Sequence, residues 1–297
     1  MDLFSISQLA QFSGIKPHTI RMWEHRYNAL KPGRSEGNTR NYNNAQLRRL
    51  LNIVSLTDGN HKVSEVCAMP DSKLFKLIEG SKNNFAPNDT NEYFISQLLA
   101  AGMSYNEWHF EKMFSNCLLQ YGIKDTYIKV IYPMLARIGL LWSSDAIPPA
   151  HEHFISNIIK QKLYSAINSL PPPKPGSDSW LLFLPENEFH EIGLLFSHYL
   201  ILLSGRKSIY LGSNVPLESL KVASKNIAPT NLLLFLVHHN LPEETQAYIE
   251  KLSTITKDKK IYLAGSSKLI SQLKTGKKIT WLKSVEDLEQ QFLSFNV

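Results

Sequence analysis

From Ser179 to the end, the sequence alternates a short apolar run with an amphipathic stretch five times, and this rhythm constrains the fold more than any other feature. The runs 180–184, 207–211, 230–237, 260–264 and 279–283 have the length and flanking turn residues of buried strands, while 191–204, 216–225, 242–255, 266–274 and 284–295 carry apolar residues at helical spacing. Parallel strands covered on both faces read as unbroken apolar runs, and each needs a crossover to reach the next. The pattern therefore predicts a doubly wound parallel α/β domain over 177–297. Ligands of such sheets sit outside the carboxyl ends of the strands, so any chemistry belongs in the strand-end loops.

The first of those loops reads Glu188-Phe189-His190-Glu191-Ile192-Gly193. A neutral imidazole is a common metal ligand, and a carboxylate two residues earlier can hold its other nitrogen and fix the tautomer. Gly193 adds clearance for a bulky ligand. Gly212-Ser213-Asn214-Val215-Pro216 and Ala264-Gly265-Ser266 are expected in loops beside His190 on the same edge. Neither a GxGxxG fingerprint nor a GxxxxGK[ST] P-loop occurs, which argues against nicotinamide and nucleotide-triphosphate chemistry.

The other end of the chain carries the charge. The protein has 297 residues and a net charge of +6, yet residues 1–62 alone hold nine bases against four acids, a balance of +5. A basic surplus confined to a short segment is the footprint of phosphate-backbone binding. Residues 5–13 form a short amphipathic helix ended by Gly14, and Lys16-Pro17-His18-Thr19-Ile20-Arg21-Met22-Trp23-Glu24-His25-Arg26-Tyr27 form a second: a helix-turn-helix. The stretch from Leu30 to Tyr42 reads as a hairpin wing, and a helix from Asn44 closes the core. Lys16, His18, Thr19, Arg21, Arg26 and Tyr27, with Arg34, Arg40 and Tyr42 on the wing, are the expected contacts to double-stranded operator DNA.

A polar, turn-rich stretch from Gly80 to Asn91 separates this module from four helical segments at 91–102, 104–121, 123–141 and 149–169. Short connections suit an antiparallel bundle. Pro171-Pro172-Pro173-Lys174-Pro175-Gly176 then marks a stiff boundary. Cys67 and Cys117 lack metal-ligand or redox spacing and read as buried thiols of a reducing compartment. With neither a signal peptide nor a membrane-length apolar run, a cytoplasmic protein is expected.

The strings carry a resemblance. Arg21-x-Trp23-Glu24-x-Arg26-Tyr27 resembles the MerR-type winged helix, and Glu188-x-His190-x-x-Gly193 resembles the signature of the cobalamin-binding fold. Trp142, followed after nine residues by Glu152-His153, is similar to the helical cap of light-sensing MerR-type regulators of the CarH and LitR type. The resemblance implies an α+β multi-domain protein, not an enzyme, in three parts. These are a MerR-type winged helix-turn-helix at 1–78, a four-helix bundle cobalamin cap at 89–171, and a Rossmann-like, flavodoxin-like cobalamin-binding domain at 177–297.

It further implies adenosylcobalamin as cofactor, with His190 as lower axial ligand of cobalt, displacing the benzimidazole, and Glu188 orienting it. Gly193 would make room for the nucleotide tail, and Gly212, Ser213, Val215 and Gly265 would line its slot. Trp142 would pack on the adenosyl side, and Glu152 and His153 would hydrogen-bond it. Function would be repression by a DNA-bound homo-oligomer, dimer or tetramer, that light dissolves, with no membrane involvement.

Three positions depart from the family pattern. Ser143 replaces a His that captures cobalt after photolysis, leaving water, His151 or His153 to take its place. Val237-His238-His239-Asn240 replaces a Ser-x-Leu element, and Ala264-Gly265 replaces a glycine pair. Two other readings stay open: a cobalamin-independent MerR-type regulator that keeps the fold for oligomerisation or antirepressor binding, and a corrinoid methyl-transfer protein.

Overall fold

The computed structural model describes residues 3–35, 37–57, 61–80, 87–142, 148–237, 242–256, 258–276 and 278–293. The chain divides into two compact units, 1–158 and 159–297.

In the first unit, β1 (Leu3–Phe4) leads into α1 (Ile6–Ser13), whose N-terminus is fixed by a reciprocal capping box between Ser5 and Gln8. Gly14, at φ +71°, ends it in the left-handed conformation that glycine adopts without cost. Pro17 starts α2 (Pro17–Tyr27), where a missing N–H costs nothing, and Asn28 ends it at φ +52°. β2 (Gly33–Arg34) and β3 (Arg40–Asn43) form the wing, with β3 central in an antiparallel β1-β3-β2 sheet. α3 (Asn44–Thr57), α4 (Val63–Cys67) and α5 (Asp71–Gly80) follow. Of the apolar positions expected in the core, Leu9, Ile20, Trp23, Leu47, Leu50 and Leu51 are buried and Ile6 is half-buried.

α6 (Pro87–Met103), α7 (Glu107–Thr126), α8 (Tyr132–Trp142) and α9 (Pro149–Asn168) occupy the four expected helical segments. Gly122, at φ +70°, kinks α7, and a π-helical turn at Tyr127–Ile131 joins it to α8. Gly102 lets α9 approach, since a Cβ there would lie 2.4 Å from Ile155. α3 and α6 share a buried polar network. Gln97 donates to Asn52 Oδ1 at 3.2 Å and Ser55 Oγ at 2.9 Å, and its own Oε1 lies 3.0 Å from His109 Nε2. Arg137 of α8 grips Glu92 through two bonds of 2.7 and 2.6 Å and reaches the carbonyl of Phe12, beside the helix-turn-helix corner.

The second unit is built on β4 (Ser179–Pro185), β5 (Lys207–Val215), β6 (Asn231–Leu236), β7 (Lys260–Gly265) and β8 (Ile279–Trp281), all parallel and ordered β5-β4-β6-β7-β8. That is the doubly wound order in which the chain starts inside and reverses direction. Leu220 of α11 (Leu217–Ile227), Ile249 and Leu252 of α12 (Pro242–Ile255) and Leu269 and Ile270 of α13 (Ser267–Ile270) cover one face. α10 (Ile192–Leu203) packs on β4 and β5, and Phe292 of α14 (Val285–Leu293) meets Trp180 edge-on. Trp180 also stacks on Tyr262 at 4.8 Å and donates to Asp178, which pairs with Arg206 at 2.8 Å.

One sequence expectation is corrected. Residues 212–215 do not form a loop: β5 continues to Val215, paired with Pro185. The register against β4 slips after Leu182 and again after Phe183, and Gly212 at φ +81° accommodates the slip. A glycine that reads as punctuation in sequence is here a bulge within a strand.

Candidate functional site

The winged-helix module presents a basic face built on α2. Ile20 and Trp23 anchor the helix in the core, which leaves Lys16, His18, Arg21 and Arg26 exposed. Thr19 is half-buried with its hydroxyl 3.3 Å from the His18 ring, and Tyr27 is half-buried at the helix end. On the wing Arg34 is exposed and bonds Asn38 across the turn. Met22 and His25 are exposed as well. Sequence reasoning passed over both, although His18, Arg21, Met22 and His25 follow the i, i+3, i+4, i+7 spacing of one helix face.

One expected contact is placed elsewhere, and another is partly engaged within the module. Tyr42 is fully buried and donates to Glu24 Oε1 at 2.5 Å, with burial and then that carboxylate pushing its hydroxyl far above the usual tyrosine range. It is a core residue, not a groove-facing one. Arg40 lies half-exposed, with Nε 3.3 Å from Glu24, so part of its charge is spoken for inside the module. Arg49, counted with the basic surplus, is scaffolding. It donates to the carbonyls of Ala29, Cys67 and Met69 at 2.7–3.0 Å and pairs with Asp71 at 2.5 Å, tying α3 to the chain around it. Burial raises the Cys67 thiol to about 11.

At the carboxyl edge of the second sheet, Glu188 and His190 come together as expected. Glu188 is buried and accepts from four donors: the amides of Phe189 at 2.9 Å and His190 at 3.0 Å through Oε1, His190 Nδ1 at 2.6 Å through Oε1, and the Val237 amide at 2.9 Å through Oε2. A carboxylate facing Nδ1 sets the proton on that nitrogen and the lone pair on Nε2. The His190 side chain is 39% exposed, open enough to meet a ligand. The loop is pinned from below as well, because Asn214 N donates to Glu188 O at 3.1 Å and Asn187 N to Asn214 Oδ1 at 2.9 Å. Both asparagines sit at positive φ, which their short polar side chains tolerate.

Glu191 was missed by sequence reasoning. Its two oxygens accept from Lys160 Nζ at 3.0 Å and the Tyr210 hydroxyl at 3.1 Å, so the residue after the histidine is tied to α9 and β5. Below it His198 Nδ1 lies 2.7 Å from Ser208 Oγ, and burial lowers that imidazole to about 4.

A cobalt corrinoid makes two demands on this edge, a lower donor and space beneath the ring. Glu188 and His190 meet the first. Around the glycines assigned to the second, the chain packs closely. A Cβ on Gly193 would lie 2.6 Å from Phe235 Cε1, and one on Gly265 would lie 2.3–2.9 Å from the Leu236 backbone. Gly212 is buried, Ser213 half-buried and Val215 buried. In the first unit, Glu152 Oε2 and His153 Nδ1 are 3.0 Å apart at the start of α9, and His153 is exposed. His151 is buried and stacked on Tyr105 at 4.4 Å. The Trp142 side chain, Ser143, His238 and His239 lie outside the described residues.

Comparison with known proteins bears on the winged-helix module and on the helical segments that follow it. Residues 4–70 match the model for the MerR HTH family regulatory proteins and residues 90–166 the model for a B12 binding domain. The chain therefore carries a segment similar to the MerR helix-turn-helix proteins and a second similar to a B12 binding domain. It is 26% identical over 256 residues to the HTH-type transcriptional repressor CarH of Myxococcus xanthus, covering 84% of each protein, and 26% identical over 247 residues to the repressor CarA of the same organism, covering 82% of this chain and 80% of that one. Among solved structures, the Methanosarcina barkeri monomethylamine corrinoid protein superposes with a TM-score of 0.51 at 15% identity, over 69% of this chain and all of that one, a likeness of fold.

Proposed function

We propose that this chain is a transcriptional repressor that binds operator DNA through the exposed cations of α2 and the wing and senses a cobalt corrinoid through His190. The three parts we assign are a DNA reader over 1–78, a four-helix cap over 89–171 and a corrinoid domain over 177–297. The observation that carries the sensing half is the Glu188–His190 pair, a buried, fully bonded carboxylate holding a half-exposed imidazole at 2.6 Å. A histidine presented with fixed tautomer and orientation is what a cobalt ligand needs.

In this reading Glu188 holds the proton on Nδ1, His190 offers Nε2, and Glu191, held by Lys160 and Tyr210, keeps the loop in place. Trp142, Glu152 and His153 are assigned to the adenosyl group, which supplies a light-cleavable cobalt–carbon bond when bound. The DNA face assigns Arg21 and Arg26 to base edges or phosphates, with Lys16, His18 and Arg34 on the backbone. Ligand and DNA are coupled by assembly: a corrinoid that binds the oligomer better than the monomer shifts the equilibrium by that difference. In this reading the protein is cytoplasmic and works as a dimer or tetramer.

Absorbance titration of the purified protein with adenosylcobalamin in the dark tests the sensing half. The spectrum is expected to move to the form with the benzimidazole displaced, and His190→Ala is expected to abolish that shift. An identical spectrum and affinity in His190→Ala removes the ligand assignment.

A further inference from the structure

Gly193 sits on the first turn of α10, directly after the loop that carries His190. The space its missing side chain leaves is not open: Phe235 Cε1, Cδ1 and Cζ lie 2.6, 3.1 and 3.4 Å from where a Cβ would stand. Phe235 belongs to β6, whose Leu232, Leu234 and Leu236 point into the core formed with α11, α12 and α13. Alternation along a strand sends Phe235 to the opposite face, the one that α10 covers. The next residue of the same strand fills the other clearance. Leu236 backbone atoms lie 2.3–2.9 Å from a Cβ on Gly265, which stands at φ +119°. Both small residues that would hollow out this edge are therefore matched by β6.

A corrinoid held through its cobalt by His190 has lost its own lower base, so its nucleotide arm hangs on the same face as the histidine. That arm must pass the elements that carry His190, namely the end of β4 and the first turn of α10. On that turn the Phe235 ring fills the space beside Gly193. Packed interiors do not absorb an extra aromatic group without displacing one already there, and a displaced ring costs both its contacts and its rotamer.

We propose that Phe235 is a specificity-determining residue of this site: it plugs the crevice beside Gly193 and makes the protein prefer a corrinoid without a nucleotide arm over intact cobalamin. This rests on the corrinoid reading above. Cobalamin binds only with the Phe235 ring moved aside, whereas a corrinoid ending at its amide side chains needs only the exposed edge and His190.

The test is a pair of equilibrium titrations, followed by absorbance in the dark, of the full-length protein with adenosylcobinamide and with adenosylcobalamin. The wild-type chain is expected to bind adenosylcobinamide more tightly, on the order of tenfold or more. Phe235→Ser is expected to erase or invert that ratio by strengthening cobalamin binding while leaving cobinamide binding within about twofold. The wild-type comparison needs no variant, so a Phe235→Ser protein that fails to fold leaves it standing. Equal or tighter cobalamin binding by the wild type overturns the proposal, as does an unchanged ratio in folded Phe235→Ser. Failure of both corrinoids to change the spectrum in both proteins sinks the corrinoid reading itself, an outcome distinct from a wrong preference.

Discussion

The winged-helix module keeps its candidate contact groups in water, whereas the α/β unit keeps half of its candidate pair out of it. Lys16, Arg21 and Arg26 are exposed on a helix whose hold on the core comes from Ile20 and Trp23. Glu188 is buried under four donors, and only its histidine partner reaches the surface. In the first region, fold and function sit on different faces of one helix and can be altered separately. In the second, one carboxylate carries both, because a buried charge is tolerated only when every donor around it is used.

The sharpest break in that comparison comes from two arginines of the same module. Arg49→Ala removes donors from three backbone carbonyls and a partner from Asp71, and is expected to cost about 2–4 kcal/mol of stability, read as a lower urea midpoint. Arg21→Ala is expected to leave the midpoint within about 0.5 kcal/mol while weakening operator binding by about 1–3 kcal/mol if it contacts a guanine. The separation of fold from function collapses if Arg21→Ala unfolds the module, or if Arg49→Ala melts like the wild type.

A smaller contrast divides the two members of the α/β pair. Glu188→Ala strands the amides of Phe189, His190 and Val237 and is expected to lower stability by about 1–3 kcal/mol. His190→Ala, at a half-exposed side chain, is expected to change stability by no more than about 0.5 kcal/mol. In corrinoid titrations the order reverses. His190→Ala loses the ligand, and Glu188→Gln weakens binding by about 10–100-fold, the range typical of groups that orient a ligand. Equal stability losses for Glu188→Ala and His190→Ala would show that the histidine is itself part of the scaffold.

The same contrast explains what could be read in advance. Element order was legible because apolar periodicity is a property of neighbours in sequence: five strands, their helices and the helix-turn-helix were placed from spacing alone. The Glu188–His190 pair was legible for the same reason, being two residues apart. What escaped depends on distant partners. Tyr42 reads as an exposed wing residue until Glu24, 18 positions earlier, accepts its hydroxyl. Arg49 reads as surface charge until the carbonyls of Ala29, Cys67 and Met69 close around it. Glu191 gains its meaning from Lys160 and Tyr210, and Phe235 from Gly193, pairs that no local pattern joins. The extension of β5 escaped because a bulge glycine and a turn glycine are the same letter.

The smallest effect concerns an imidazole that the α/β unit buries rather than presents. His198 lies on the side of α10 that faces β5, with Nδ1 2.7 Å from Ser208 Oγ, and burial lowers it to about 4, against about 6.5 in an unfolded chain. Between those values the unfolded chain binds the proton and the folded one does not, so stability rises with pH across the window. The contribution is fully present above about 6.5 and lost as pH falls toward about 4. With the ring partly open to solvent, a discounted size of about 1–2 kcal/mol is expected. His198→Gln keeps a hydrogen-bonding group toward Ser208 but does not titrate. The difference in urea-derived stability between wild type and His198→Gln should therefore shift by about 1–2 kcal/mol between pH 7.5 and pH 4.5, with the wild type losing more on acidification. A flat difference would mean that His198 takes up its proton in the folded state as readily as in the unfolded one, and that this unit tolerates a charged imidazole between α10 and β5.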